Sequence, residues 1–443
     1  MPKEIVALPD LSLEQLKAMM SALGVTQLLL KELAPNDNSK NQPYVSRGDL
    51  SAINILPAED FEVAESAHGN RIMKASMPFE WLQPDGTSNP APNAKLILYP
   101  QYPEIRFSGF LLGAVKAPNA IMTTRIPGRL LFFGVTSDRR VIGWAAGPDS
   151  QLARSIPALG ELEKLGVLKV IPLRATSGRE LLIGELRRIH LLNWIASKRL
   201  NRNGTVGFSA QNGIGFTLEA ELGILQNGRS EPDFEGWEIK ASQVTRYDRV
   251  PPGTVITMMT PQPDGGLYKT DFPSFMCRFG YADRAGRPDR INFGGVHVVG
   301  SKHHLTSLTP TLVGVTNGKI TDLGGKYTLL ADDGTEAASW SFAKLLEKWN
   351  HKHAQAAYVP GEVRTDPEKQ YRYGGTVRLG RGTSFDRFIR ALGNGSVVYD
   401  PGIKLEGVST SSPRAKHRSQ FRTTSGQLAS LYQEMNEVSL LTE

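Results

Sequence analysis

Sulfur chemistry is nearly absent from this chain: one cysteine, Cys277, stands among 443 residues. That excludes an intramolecular disulfide framework, a multi-thiolate zinc site and an iron–sulfur cluster. No apolar run approaches the ~20 residues that a membrane-spanning helix needs. The opening MPKEIVALPD has no basic segment followed by an apolar one, so no signal peptide is read there. These absences lead to the expectation of a reducing, cytoplasmic setting without a membrane partner. A strong charge of one sign is also missing. Lys plus Arg number 51 and Asp plus Glu 44, for a formal net charge of +7. So mild an excess permits a polyanionic partner without demonstrating one. Hydrophobic residues at 40% and charged residues at 21% exclude wholesale disorder. There is no internal repeat and no low-complexity tract.

What is present is a patterned mixture of helix and strand signals, long enough for two or three domains. Ser12 and Gln15 make a capping-box pair ahead of Leu13, Leu16, Met20 and Leu23 at helical spacing. After Gly24 the run VTQLLLKEL reads as the helix resuming, and a polar loop spans 36–42. KLILYP, EIRFSGFLL, RLLFFGV and RVIGWAA, between 95 and 147, read as strands separated by turn residues. Their aromatics, Phe107, Phe110, Phe132, Phe133 and Trp144, are expected in a core rather than on a base-stacking platform. Residues 1–165 are therefore expected to form a separate mixed, strand-rich domain.

The segment 177–200 predicts one helix, with Leu182, Leu186, Ile189 and Ile195 near one face. A shorter helix around 215–223 and hairpin-like strands through 300 should follow. Beyond them come a helix carrying Phe342, Leu345, Leu346 and Trp349, and another near 384–392, capped by Thr383 or Ser384 with Gly393 at its exit. Roughly the last forty residues are rich in Ser, Arg and Lys and are expected to end in a short helix. The fold class is α/β or α+β, with a second domain over 170–443.

The stretch 215–242, GFTLEAELGILQNGRSEPDFEGWEIKAS, carries the chemistry. Side chains alternate along a strand, so Glu238 and Lys240 share one face while Trp237 and Ile239 turn to the other. Asp233, just after Pro232, can approach the first face across a bend at Gly236. Two converging carboxylates repel unless a divalent cation lies between them, and such oxygen ligands suit Mg²⁺. A neighbouring lysine can hold an attacking water or stabilise charge on a phosphate. This is the Pro-Asp…Glu-x-Lys arrangement of metal-dependent phosphodiesterases. Glu-x-Lys alone is a weak signal, since about one such triplet is expected by chance in a chain of this size. Taken alone it also suits a solvated strand face with a surface ion pair.

The wider context is more specific. Leu218-Glu219-Ala220-Glu221-Leu222-Gly223, then Pro232-Asp233, then Gly236-Trp237-Glu238-Ile239-Lys240 resembles the MvaI/BcnI family of restriction endonucleases. More distantly it resembles the mismatch-repair nicking enzyme MutH, within the PD-(D/E)xK nucleases. The likeness continues through Asp289-Arg290-Ile291-Asn292-Phe293-Gly294-Gly295, Tyr399-Asp400-Pro401-Gly402 and Arg418-Ser419-Gln420-Phe421-Arg422, covering 175–435.

The resemblance implies a central mixed sheet flanked by helices. It implies Mg²⁺ held by Asp233, Glu238 and the Ile239 carbonyl, with Lys240 positioning or activating water. Glu219 matches an additional acidic residue of the family near the metal. Glu221, two residues on, lies on a different helical face and is read as solvent-facing. The Asp233-to-Glu238 interval is shorter than in MutH. The implied function is Mg²⁺-dependent, sequence-specific hydrolysis of double-stranded DNA in restriction of foreign DNA, with a monomer cutting each strand in turn. The alternatives are a partner-dependent nicking enzyme and a DNA-binding module that has lost catalysis. Residues 1–165 lie outside the likeness. They are expected to fold alone and to adjust target choice, leaving 170–443 able to keep the metal site.

Candidate DNA contacts cluster in RAKHRSQFR, residues 414–422, which contains no acid: Arg414, Lys416, His417, Arg418, Gln420 and Arg422. If this segment is extended, Arg418, Gln420 and Arg422 share a face, and Arg suits a guanine edge as Gln suits an adenine edge. Contact with phosphate alone is the other reading. His303 and His304 are further candidates, whereas His297, inside an apolar run, reads as a core histidine. Arg284 and Arg287 are loop candidates for phosphate, and Asp289 and Arg290 are expected to pair with each other or with neighbours.

Overall fold

A computed structural model of the chain describes residues 10–35, 42–66, 68–174, 176–225, 233–350 and 353–441. The polar loop at 36–42 lies outside the described residues except for Gln42, whose amide donates to Ser108 Oγ at 2.6 Å.

The chain opens with helix α1 (Leu13–Ala22), its Ser12–Gln15 capping box formed on both sides. Gly24, at φ 82, then ends the helical run, and the residues expected to continue it form strand β1 (Val25–Leu33) instead. The reason is burial on both faces. Leu29 and Leu33 enter one core and Leu28 and Leu30 another. A strand covered on both sides carries an unbroken apolar run, which periodicity cannot tell from a buried helix.

Strand β1 pairs antiparallel with β2 (Arg129–Thr136), which pairs with β3 (Val141–Ala146). On its other edge β1 meets β4 (Leu168–Ile171). These strands belong to a seven-stranded sheet that also takes in Phe79–Leu82. One face packs on α1 through Leu16, Phe132 and Trp144. The other packs on a five-stranded sheet through Phe107, Phe133 and Leu96. All five aromatics expected in a core are buried.

The second half builds a six-stranded mixed sheet between helices. Helix α2 (Gly178–Leu191) has the Ser177–Glu180 capping box but is shorter than its apolar pattern suggested. Asn193 at φ 59 turns the chain, and Ile195 is buried from a two-residue strand. Then come α3 (Gly213–Glu221), β5 (Glu238–Gln243), β6 (Gln355–Arg364), β7 (Gln370–Tyr373) and β8 (Thr376–Arg381). β5 runs parallel to β6, with Glu238 opposite Ala356 and Lys240 opposite Tyr358.

The region expected to hold only hairpins up to residue 300 also contains helices Leu267–Thr270 and Phe272–Phe279. Helix α4 (Phe385–Gly393) starts where expected, with Ser384 accepting from the Arg387 N–H. The tail differs from its expected short helix. It forms strands β9 (Arg414–Lys416), β10 (Phe421–Thr424) and β11 (Glu434–Ser439), with a 3₁₀ turn at Leu428–Leu431. β11 is hydrogen-bonded to β8 across the sheet, a long-range pairing with no local signature. The class is mixed α and β, as the pattern of elements indicated.

The two halves share one core. Leu29, Ile53 and Phe107 belong to the same apolar cluster as Trp349, Phe385 and Phe421. Across the seam, Asn54 Nδ2 donates to the carbonyls of Trp349 and Asn350 at 3.2 and 2.9 Å. The Leu50 N–H donates to Asp386 Oδ2 at 3.0 Å.

Candidate active site

The acidic hairpin explains how Asp233 reaches the β5 face. Phe234 and Trp237 exchange backbone hydrogen bonds at 3.0 and 2.8 Å around the two-residue turn Glu235-Gly236. Both turn residues have positive φ, 46 and 84, the signature of a type I′ turn. Asp233 is thereby folded back along β5, and its Oδ2 accepts the Ile239 N–H at 2.8 Å.

Along an extended strand the N–H and C=O of one residue point to the same edge. Among the described residues β5 pairs with β6 alone, on its opposite edge. The Ile239 carbonyl therefore faces the side that Asp233 occupies.

Glu238 and Lys240 lie on one face, as alternation requires. Lys240 Nζ sits 2.9 Å from Glu238 Oε1, and Glu238 is only 3% exposed. Trp237 and Ile239 point to the opposite face, into a core built with Leu186 of α2 and Leu218 of α3. Those apolar anchors fix the strand's rotation and so fix the direction of the two charged side chains. Beneath Glu238 lies a tyrosine pair that no local pattern announces. The Tyr358 and Tyr432 hydroxyls are 2.8 Å apart and buried. Burial, the neighbouring tyrosine and the nearby Glu238 carboxylate push the Tyr358 hydroxyl far above its ordinary range, so it remains a neutral group. Periodicity could not find this pair, because Tyr432 reaches the site from a separate segment late in the chain.

Helix α3 packs against β5 and carries Glu219 on its half-buried side. The Glu219 carbonyl accepts the Ile224 N–H at 2.8 Å, closing the helix end. Glu221 departs from the solvent-facing role expected of it. Its side chain is only 10% exposed, forms an ion pair with Lys198, and lies 3.5 Å from Arg188 Nη1. A side chain from α2 and another from the strand at Lys198–Asn201 converge on it, contacts that helical-wheel reasoning on α3 alone could not anticipate.

The available donors suit a hard divalent cation. They are two carboxylates and a backbone carbonyl, all oxygen, which is the ligand chemistry such an ion would take. Among the described residues no group of three or more His, Cys, Asp and Glu side chains forms a metal cluster. A site of two carboxylates and a carbonyl is compatible with that.

The family model of the MvaI/BcnI restriction endonucleases matches residues 183–432, more than half of the chain, and takes in α3, the hairpin and β5. The chain belongs to the MvaI/BcnI restriction endonuclease family. Solved structures of restriction endonuclease MvaI are also similar. With its cognate DNA substrate, MvaI is 16% identical, with a TM-score of 0.43, covering 60% of this chain and 100% of that one. Without DNA, it is 18% identical, with a TM-score of 0.34, covering 60% and 99%. No curated protein sequence matches. Membership in the MvaI/BcnI family makes the chain a DNA endonuclease, a hydrolase of phosphodiester bonds. No helix of the described residues is long and apolar enough to cross a membrane.

Within this MvaI/BcnI chain the residues singled out as DNA contacts are not gathered on one face. Arg414, Lys416, His417 and Arg418 are exposed. Gln420 is only 7% exposed, and Arg422 is held by Asp400 in an ion pair, so the shared face of Arg418, Gln420 and Arg422 does not form. The segment is not one extended strand, since β9 ends at Lys416 and β10 begins at Phe421. Acids missing from the local sequence arrive from elsewhere in the chain: besides Asp400, Glu406 lies 3.4 Å from Lys416 Nζ. His417 Nδ1 meets the Tyr268 hydroxyl at 2.6 Å.

His304 is exposed, but His303 is buried at 8% exposure, its ring stacked 4.2 Å from that of His297. Arg290 pairs with Asp283 and Glu406 rather than with Asp289, which instead receives Ser409.

His297 is the core histidine that its apolar surroundings implied. Its two ring nitrogens meet the Gly295 carbonyl at 2.8 Å and Thr306 Oγ1 at 3.0 Å. Burial first, then the neighbouring His303, lowers its pKa to about 3 from an ordinary 6.5. In the unfolded chain this ring takes up a proton below its ordinary pKa, while in the fold it stays neutral. Its contribution to stability is thus intact above about 6.5 and drains away as pH falls toward about 3. Chemical denaturation across that window is expected to show a loss of up to ~1.4 kcal/mol per pH unit from this group. His297→Gln should flatten that slope, and an unchanged slope would refute the assignment.

Proposed function

We propose that the protein is a Mg²⁺-dependent, sequence-specific endonuclease of the type II restriction kind, acting on double-stranded DNA in defence against foreign DNA. The observation that carries this reading is Asp233 hydrogen-bonded to the Ile239 N–H on one edge of β5, beside the Glu238–Lys240 pair. Asp233, Glu238 and the Ile239 carbonyl would hold the ion. When bound, it supplies Lewis acidity at a phosphoryl oxygen.

The remaining chemistry belongs to the chain. Lys240, tethered to Glu238, presents an ammonium to the attacking water or to the phosphate's developing charge. Glu219, on the helix packed against β5, is assigned as the family's additional acidic residue, outside the set that would hold the ion. The buried tyrosines below Glu238 exclude bulk water from beneath the carboxylate. We assign residues 170–443 as the endonuclease portion and 1–165 as an accessory portion, and we place the protein in the cytoplasm as a monomer. Incubation with unmethylated plasmid and Mg²⁺, followed by sequencing of the ends, is expected to return one short recurring sequence. Nicks that form only after a partner protein is added would instead favour a MutH-like strand-nicking role.

DNA contact is assigned to the exposed members of the basic segment, Arg414, Lys416, His417 and Arg418, with His304 nearby. Arg414 and Arg418 make no ion pair among the described residues. The double variant Arg414→Gln/Arg418→Gln is expected to weaken duplex binding and to reduce the slope of log affinity against log salt by up to ~0.9 per lost phosphate contact. An unchanged slope would remove the segment from the interface. Arg422 and Gln420 serve the fold here, and His303 packs against His297.

A further inference from the structure

We propose that Arg139, from the N-terminal part that the family does not cover, is a phosphate ligand in the wall of a groove that Asp233 borders. The proposal rests on the nuclease reading above and names a DNA contact that this reading does not contain. The N-terminal sheet faces the acidic hairpin. Between them lie two cavities of about 610 and 390 Å³. Both are lined by Thr26, Gln27, Glu235, Gly236 and Gln355, so they form one continuous groove. The larger is walled by Asp233 on one side and, on the other, by Thr136, Ser137 and Arg139 from the turn between β2 and β3.

Two of the other arginines along the groove have acidic partners. Arg174 lies 3.3 Å from Glu235, and Arg381 is paired with Glu163. Arg139 has no ion pair among the described residues. Its guanidinium donates from Nη2 to the Ala58 carbonyl at 3.0 Å, and its Nε is buried without a hydrogen-bond partner. Its backbone sits at φ 69, in the region that favours glycine, although an arginine occupies it.

A guanidinium anchored at one nitrogen keeps its positive charge for a planar or tetrahedral oxyanion. The anion that a DNA endonuclease brings beside Asp233 is a backbone phosphate of the strand at the active site. The groove is too small for a duplex, and its volume suits a short stretch of one strand's backbone. The contact is to phosphate and therefore carries no base preference.

The test uses the full-length protein in EDTA, a short fluorescent duplex of mixed sequence, and Arg139→Gln and Arg139→Lys beside the parent chain. Binding is measured against salt concentration, and thermal melting is recorded for each protein. Arg139→Gln should bind about tenfold more weakly and lower the salt slope by ~0.9, with melting unchanged. Arg139→Lys should restore the slope, because it returns the charge, while recovering only part of the affinity. Equal affinity and slope for the parent and Arg139→Gln would overturn the proposal. Should Arg139→Gln melt lower, an Arg139→Lys chain that melts normally decides the matter: parent-like affinity and slope together overturn the proposal. A parent chain that fails to bind DNA overturns the nuclease reading and this inference with it, an outcome distinct from a parent that binds and a variant that matches it.

Discussion

Lys240→Ala is expected to abolish cleavage almost completely, lowering the single-turnover rate by several orders of magnitude while DNA binding changes little. Lys240 is the ammonium nearest the carboxylates that would hold the ion, and its distance to Glu238 is 2.9 Å. Loss of one group stabilising charge in such a site costs ~10²–10³ in rate, and a group acting jointly with a metal costs more. The same substitution removes the Lys240 ammonium from beside the buried Glu238 carboxylate. Breaking a pair of this kind costs ~3–5 kcal/mol of stability. The kinetic result must therefore be read beside a melting curve. The double variant Lys240→Met/Glu238→Gln removes both charges and should recover much of the stability without recovering activity. Full activity of folded Lys240→Ala in Mg²⁺ would remove the lysine from the mechanism.

The second large effect is expected on truncation. Residues 170–443, expressed without the preceding half, should melt at least ~10 °C lower than the whole chain, or aggregate. The sequence suggested two parts able to fold separately. The shared core weighs against that. Removing the first half uncovers the face of Trp349 and Phe385, strips Asn54 from two backbone carbonyls, and leaves Asp386 without the Leu50 N–H. Asp386 is buried enough that its carboxyl is raised above its ordinary value, so its environment matters to the fold. Each large apolar side chain returned to water costs ~1.5–3 kcal/mol. Thermal melting and cleavage assays on both lengths check this. A truncated chain that melts within about a degree of the parent and cuts at the same rate would show that the seam contributes nothing.

Local patterns carried the sequence reading a long way. Ser12 with Gln15 and Ser384 before α4 were visible as caps, because a cap is a short-range device. Alternation placed Glu238 and Lys240 together for the same reason, and Gly236 marked the bend that brings Asp233 back. The failures share a cause of the opposite kind. Residues 25–33 looked helical because both faces of β1 are covered by elements far away in sequence. The tail became strands because β11 finds its partner in β8. Gln420 and Arg422 looked like readers of a groove because the acid that occupies Arg422 and the core that covers Gln420 are supplied by other strands. The cavity that Arg139 lines was equally illegible, since nothing local to a turn reveals what it will face.

The most direct test of the central claim is a time course of supercoiled plasmid cleavage by the full-length protein, run in Mg²⁺, in EDTA, and with Glu238→Gln in Mg²⁺. The parent protein in Mg²⁺ is expected to give fragments with defined ends, and the other two reactions intact plasmid. Undiminished cutting in EDTA, or by a folded Glu238→Gln protein, would show that neither the ion nor the Glu238 carboxylate carries the cleavage.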